Sequence, residues 1–272
     1  MEAEKEVKRK PTYHQSRLSS FEFCGWADYL QNIEKKRGKG NFYSCQGSAV
    51  HASRKLNLRQ KVKSHNDLTF DEIADACRDE VNRQFDEDKI GMNGDFISGK
   101  SKSAAAGFTI DKALRLARVD LRQLQSVIQP VEVEIKKEVA LSNWEFDLGM
   151  TMDSRDDDEM ITDCKTAKMR WSQARVDEAY QPPVYALGYK AHCNVYPKGF
   201  RYHCLTYTPK GKISAYELQT EISEQRIISM LNRFQAMHKA IKTGVFTPAH
   251  GSSWKCSPNW CDYYSQCKFV RK

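Results

Sequence analysis

Met160-Ile161-Thr162-Asp163-Cys164-Lys165-Thr166, with Asp153 ten residues before Asp163 at the end of Gly149-Met150-Thr151-Met152-Asp153, decides how this chain is read. In Phe146 to Asp153 the apolar residues fall on every second position, the period of a half-buried strand, so Asp147, Thr151 and Asp153 share the other face. Ser154 to Glu159, with three consecutive aspartates, reads as a polar turn, and Met160 begins the returning strand. Asp163 and Lys165, two apart, then point the same way. Two carboxylates at neighbouring strand ends suit Mg²⁺ or Mn²⁺, which take oxygen ligands. A lysine beside them can orient a nucleophile or stabilise charge developing on a phosphate. Alone, such a hairpin is more often a solvated surface, so the rest of the chain has to decide.

The chain has 272 residues and a net charge of +8, enough length for a sizeable core and a charge that favours a polyanionic partner. No apolar run approaches the roughly 18 residues of a membrane span. The charged start Met1-Glu2-Ala3-Glu4-Lys5-Glu6 does not read as a signal peptide. The expectation is a cytoplasmic protein with no membrane partner. Nine cysteines in such a chain argue for reduced thiols or metal ligation rather than a disulfide framework.

Three of those cysteines, Cys256, Cys261 and Cys267, crowd a turn-rich aromatic tail at C-x4-C-x5-C spacing. A closed site needs a fourth ligand, and Cys24 near the other end is the candidate, with zinc and iron–sulfur both open. Cys45 reads as a loop residue, and Cys77, Cys164, Cys193 and Cys204 as small neutral residues in helix or strand patterns.

The remaining pattern gives a charged, flexible N-terminus over residues 1–15 and a helix from Ser19 or Ser20 to Glu34. Helices follow over 47–60 and 69–85, the second capped by Thr69 with Glu72 three residues on. A glycine-containing connection spans 91–107, and a helix spans 109–128. Strands are expected over 131–141, 143–153 and 159–167, a helix over 181–194, a hairpin over 200–219 and a last helix over 222–243. Helices, a three-stranded meander, a helix, a hairpin and a helix make an α/β (mixed α+β) fold, a mixed sheet flanked by helices. Residues 16–272 read as one domain: a mainly helical part to 130, a sheet core over 131–220, and a helix with the cysteine tail over 221–272. Lys100, Lys102, Arg115, Arg118 and Arg122 are candidates for tracking a phosphate backbone.

Five elements, in order, resemble the PD-(D/E)xK nuclease superfamily, in particular its RecB-like, AddB-like iron–sulfur branch with small phage-type exonucleases. Cys24 is similar to that branch's lone N-terminal cluster cysteine. Gly47-Ser48-Ala49-Val50-His51 resembles its G-x-x-x-H, Asp153 with Asp163-Cys164-Lys165 its core motif, and Gln181-Pro182-Pro183-Val184-Tyr185 its Q-x-x-x-Y helix. The terminal cysteines resemble its cluster tail, although the commoner spacing is C-x2-C-x5-C. Gly149 stands four residues before Asp153 where the family has G-x-x-D, which makes Asp147 a rival.

The resemblance implies a restriction-endonuclease-like core and a Mg²⁺- or Mn²⁺-dependent deoxyribonuclease, an exonuclease of phage or bacterial DNA recombination, repair or replication. It implies metal ligation by His51, Asp153, Asp163 and the backbone carbonyl of Cys164, with Lys165 positioning or deprotonating water. Gln181 and Tyr185 would orient Lys165 or contact the strand, and Cys24, Cys256, Cys261 and Cys267 would hold a [4Fe-4S] cluster. The implied partners are DNA, as single strands or duplex ends, and a single-strand-annealing or other recombination protein. The competing expectation is an inactive nucleic-acid-binding module with a zinc or iron–sulfur staple.

Overall fold

The computed structural model describes residues 9–92, 97–208, 211–258 and 260–270. A short strand, β1 (Thr12–Tyr13), leads into α1 (Gln15–Phe23) and α2 (Gly25–Asp28), which runs on into a π-helical turn over Tyr29–Ile33. Three longer helices follow: α3 (Phe42–Ser64), α4 (Phe70–Asp86) and α5 (Lys102–Asp120), the last ending in a second π-helical turn over Leu121–Gln125. The meander is β2 (Pro130–Val139), β3 (Asp147–Asp156) and β4 (Met160–Ala167). Then come α6 (Gln173–Asp177), α7 (Gln181–Cys193), the hairpin β5 (Gly199–Tyr207) and β6 (Ile213–Thr220), and α8 (Glu224–Thr243).

All these strands join one mixed sheet. β2 runs antiparallel along one edge of β3. On the other edge β1 pairs parallel at its start and β4 antiparallel at its end. β5 lies parallel to β4, and β6 antiparallel to β5. The chain is thus an α/β protein with a central mixed sheet flanked by helices, consistent with a restriction-endonuclease-like core. One sheet face carries a core of Leu148, Met150, Ile161, Val184, Phe200 and Phe234, under α7 and α8. The opposite face buries Val50, Leu116, Cys164 and Leu205 under α3 and α5. Each such side chain taken from water stabilises the fold by about 1.5–3 kcal/mol, so the two faces together hold the sheet in place.

Several boundaries move for local reasons. α3 starts at Phe42, not Gly47, because Asn41 and Ser44 cap it reciprocally: Ser44 N–H donates to Asn41 Oδ1 (3.0 Å) and Asn41 N–H to Ser44 Oγ (2.9 Å). Cys45, expected in a loop, is therefore a buried helix residue. α5 begins at Lys102 because Ser101 Oγ accepts the Ala104 amide (3.2 Å), which takes the end of the expected 91–107 connection into a helix. Residues 93–96 of that connection lie outside the described residues. So do residues 1–8 of the expected flexible N-terminus; from residue 9 that expectation is corrected, because Thr12 and Tyr13 pair with Asp147 and Leu148. The first helix, expected unbroken to Glu34, breaks at Cys24, whose backbone is extended. The break lets the Gly25 amide reach Thr247 O (2.8 Å), where a Cβ would come within 3.0 Å of backbone.

Candidate active site

β3 and β4 pair only at Ser154↔Thr162 and Arg155↔Ile161, so the next residues toward the open end, Asp153 and Asp163, stand where the ladder stops. The Asp153 carboxylate fills that gap. Its Oδ2 accepts the backbone N–H of Cys164 (3.2 Å), a donor that the ladder leaves without a strand partner there, and also lies 3.1 Å from His51 Nδ1 on α3. On the other lip, Lys165 Nζ is 2.6 Å from Asp163 Oδ2. Gln181, the first residue of α7, donates from Nε2 to Asp163 Oδ1 (2.5 Å) and accepts at Oε1 from Tyr202 Oη (3.3 Å). The structure thus gathers His51, Asp153, Asp163, Lys165 and Gln181 around one fork, with the Cys164 backbone at its centre and its thiol buried on the α3 side. Tyr185, one turn along α7, is buried against Phe200, with ring centroids 5.9 Å apart. Asp147, the rival, is at the far end of β3 from this fork, where Oδ1 accepts the Leu141 amide (2.9 Å).

The fork separates its two acids electrically. Burial opposes ionisation of Asp153, but the charge and hydrogen bond of His51, together with Lys165 and the Cys164 amide, hold its pKa down at about 2. Asp163 goes the other way: burial, aided by the neighbouring Asp153 charge, raises its pKa in spite of Lys165. For Lys165 burial alone would lower the pKa, yet Asp163 and Asp153 outweigh it and raise it, so the side chain stays an ammonium. His51 is likewise raised, Asp153 prevailing over burial. Asp163 Oδ2 is buried, with the Lys165 ammonium 2.6 Å away as its counter-charge. One imidazole and two carboxylates are donor types that Mg²⁺ or Mn²⁺ accepts, although the three do not all bring a donor atom within 4.8 Å of one another.

Behind the fork lies a charged layer that sequence reasoning missed. Arg54, three residues after His51 and 2% exposed, donates to Asp120 Oδ1 (2.7 Å) and lies 2.8 Å from His203 Nδ1. His203 Nε2 is 3.2 Å from Glu217 Oε2. Lys165 Nζ also sits 5.8 Å over the Tyr202 ring. Alternation of Phe200, Tyr202 and Cys204 was the available signal for Tyr202; Arg54 had none beyond its spacing from His51. Of the basic candidates, Arg115 donates to Gly211 O (2.8 Å), Arg118 lies 4.1 Å over Phe70 and Lys100 5.4 Å over Phe108. Lys102 opens α5, and Arg122 lies in the π-helical turn that ends it.

The four singled-out cysteines do meet. Cys24, Cys256, Cys261 and Cys267 line one cavity of about 710 Å³, with Trp26, Trp260 and Tyr263 in its wall. Cys24 Sγ accepts the amides of Ala27 (3.4 Å) and Ala249 (3.3 Å). Burial raises the Cys261 thiol pKa, and Cys24, Cys256 and Cys267 add to the rise by their charge. Among the described residues, the one set of three or more acid, thiol or imidazole donors within 4.8 Å of one another is Asp156, Asp157 and Asp158 in the β3–β4 turn; neither the four cysteines nor His51, Asp153 and Asp163 form such a set. Asp156 itself is bound to the Met160 amide (3.0 Å) and lies 3.5 Å from Arg201.

No protein-family model matches the chain, and no curated protein matches it. Among solved structures it is similar to that of a protein from Eubacterium rectale named as a candidate exonuclease, with a TM-score of 0.60 at 12% identity over 100% of this chain and 96% of that one. The fold is shared. The structure of SSO0001 overlays 95% of this chain and 96% of its own at 12% identity with a TM-score of 0.34, too loose a likeness to bear on the fold.

Proposed function

We propose that the protein is a Mg²⁺- or Mn²⁺-dependent deoxyribonuclease, with the expected domain over residues 16–272 extended at its start by β1 and acting as one nuclease domain. The observation that carries this reading is the fork: two acids of opposite pKa displacement at the end of the β3–β4 ladder, with His51 3.1 Å from one and Lys165 2.6 Å from the other. Asp153 and Asp163 would supply oxygens to the ion, His51 a nitrogen and Cys164 its carbonyl. A bound ion would polarise the scissile phosphate and acidify a water. Lys165, held as an ammonium, is suited to stabilising negative charge on the phosphate and to orienting water rather than to removing its proton. Gln181 holds Asp163 in register, and Tyr202 fixes the Gln181 amide so that its nitrogen faces the carboxylate. Tyr185 supports α7 against the sheet.

The cysteine cavity supports a structural [4Fe-4S] cluster. Zinc is the alternative occupant of the same four sulfurs. A role beside a single-strand-annealing protein in recombination is compatible with the same reading. The test incubates purified protein and an Asp163→Ala variant with labelled single- and double-stranded DNA and Mn²⁺. Products from the parent alone are expected; equal products from both would end the catalytic assignment and leave a DNA-binding module.

A further inference from the structure

Glu134 has φ of 54° in the middle of β2, a left-handed conformation that a glutamate in a strand rarely adopts. Its effect can be followed through the neighbours. Glu132 lies 3.0 Å from His192 on α7, and Ile135 packs into the core on that same sheet face. Three residues apart, they would point to opposite faces of a regular strand. The turned backbone at Glu134 absorbs the odd step, and it sends Val133 and Glu134 both toward α3. There Glu134 stands in the register position opposite Asp153, between the pairs Val133↔Ser154 and Ile135↔Met152.

What the strand delivers to α3 is an anchor for two cations. Glu134 Oε2 lies 2.7 Å from Lys55 Nζ and 2.9 Å from Arg59 Nη2. Lys55 and Arg59 follow His51 at i+4 and i+8, on one stripe of the helix that carries the candidate ligand. With His51 and Glu134 they line an open cavity of about 520 Å³. A second, narrow cavity of about 30 Å³ joins His51, Lys55 and Glu134 to Asp153. Glu80, also in the lining, has its charge met by Arg83 at 2.7 Å. One carboxylate therefore pins two partly exposed cations and leaves an excess positive charge beside the fork.

An exposed salt bridge adds little to stability and does not by itself account for a strained residue in a strand. Pre-positioning two cations does. We propose that Lys55 and Arg59, oriented by Glu134, form a phosphate-binding subsite that grips the nucleic-acid strand one step away from the phosphate in the fork. The inference rests on the nuclease reading for its choice of ligand. Glu134 is here a positioning residue; its oxygen is committed to the two cations rather than to a metal.

The test measures DNA binding without cleavage, in the Asp163→Ala background, by fluorescence anisotropy over a salt series. Lys55→Ala/Arg59→Ala is expected to weaken binding at least tenfold. It should also flatten the slope of log K against log salt by about 1.4 for single strands or about 1.8 for duplex, the release of two counterions. Single Lys55→Gln and Arg59→Gln variants should each remove about half of that slope, which keeps the idea open to refutation if the double variant does not fold. Strands with a 5′-phosphate and with a 5′-hydroxyl distinguish the source: a loss confined to the former assigns a terminal phosphate, an equal loss an internal one. Unchanged affinity and slope in folded variants would overturn the subsite. That result leaves the nuclease reading standing if the parent cleaves, and a parent that binds but does not cleave leaves the subsite standing without it.

Discussion

At the scale of single residues, the two acids of the fork are set apart by what touches them, and their neighbours are the sharpest places to intervene. Tyr202→Phe removes the bond that fixes the Gln181 amide. A neutral hydrogen bond contributes about 0.5–1.5 kcal/mol, so kcat on DNA is expected to fall by about 2–10-fold with KM little changed. A KM effect of equal size would instead place Tyr202 in substrate binding. Arg54→Met leaves Asp120 and His203 buried without their shared partner. Breaking such a pair costs about 3–5 kcal/mol, and chemical denaturation should show it as a lower midpoint with unchanged slope. Asp153, Asp163, Lys165, His51 and Gln181 were legible because their spacing is written in the chain and resembles a known motif. Arg54, Tyr202 and Glu134 were not, since a buried cation, a phenol under a lysine and a positive φ depend on what the fold brings alongside.

At the scale of elements, the site is assembled where three regular strands stop being regular. β3 and β4 stop pairing at Asp153 and Asp163, and β2 turns at Glu134, so three strands cooperate in opening one pocket. The meander, hairpin and long helices were readable from period and caps. The strand ends and the break at Cys24 were not, because they answer to partners distant in sequence, such as Thr247. Packing of α7 on β3 offers a test apart from chemistry. A Cβ at Gly188 would fall 1.9 Å from Met150 Sδ, which is itself buried. Gly188→Ala is expected to destabilise by about 1–3 kcal/mol from overpacking, read as a lower Tm. A Tm at or above that of the parent would show that α7 can shift without loss.

At the scale of the whole molecule, the cysteine cavity ties the α1–α2 break to the tail beyond α8. If a cluster closes it, Cys24→Ser, or chelation of the iron, should lower stability by roughly 2–4 kcal/mol, as expected for a cross-link closing a long loop. Limited proteolysis should then cut first in the tail; unchanged Tm and cleavage pattern would remove the staple. Acid works on a different part. Glu217 is drawn down to about 2, mainly by its hydrogen bond to His203, and His203 is lowered by burial. Both groups bind more protons unfolded than folded, so stability falls as pH drops, first below about 6.5 through His203 and then between about 4.5 and 2 through Glu217. With partial exposure discounted, Glu217 contributes about 1–2 kcal/mol, and Glu217→Gln should flatten the acid limb of a Tm-against-pH curve.

The layer behind the fork also settles a question of proton bookkeeping. A guanidinium can only donate, so the bond from Arg54 makes His203 Nδ1 an acceptor and leaves the ring's single proton on Nε2, facing Glu217. That hydrogen is shut away from solvent by a fully buried ring and held by a carboxylate. Slow exchange of this proton is the expected outcome, checked as a far-downfield resonance in a proton NMR spectrum that is lost in Glu217→Gln. The molecule thereby carries a built-in signal for the integrity of the floor on which His51 and Cys164 rest, readable in solution without labels and independent of any assay of DNA cleavage.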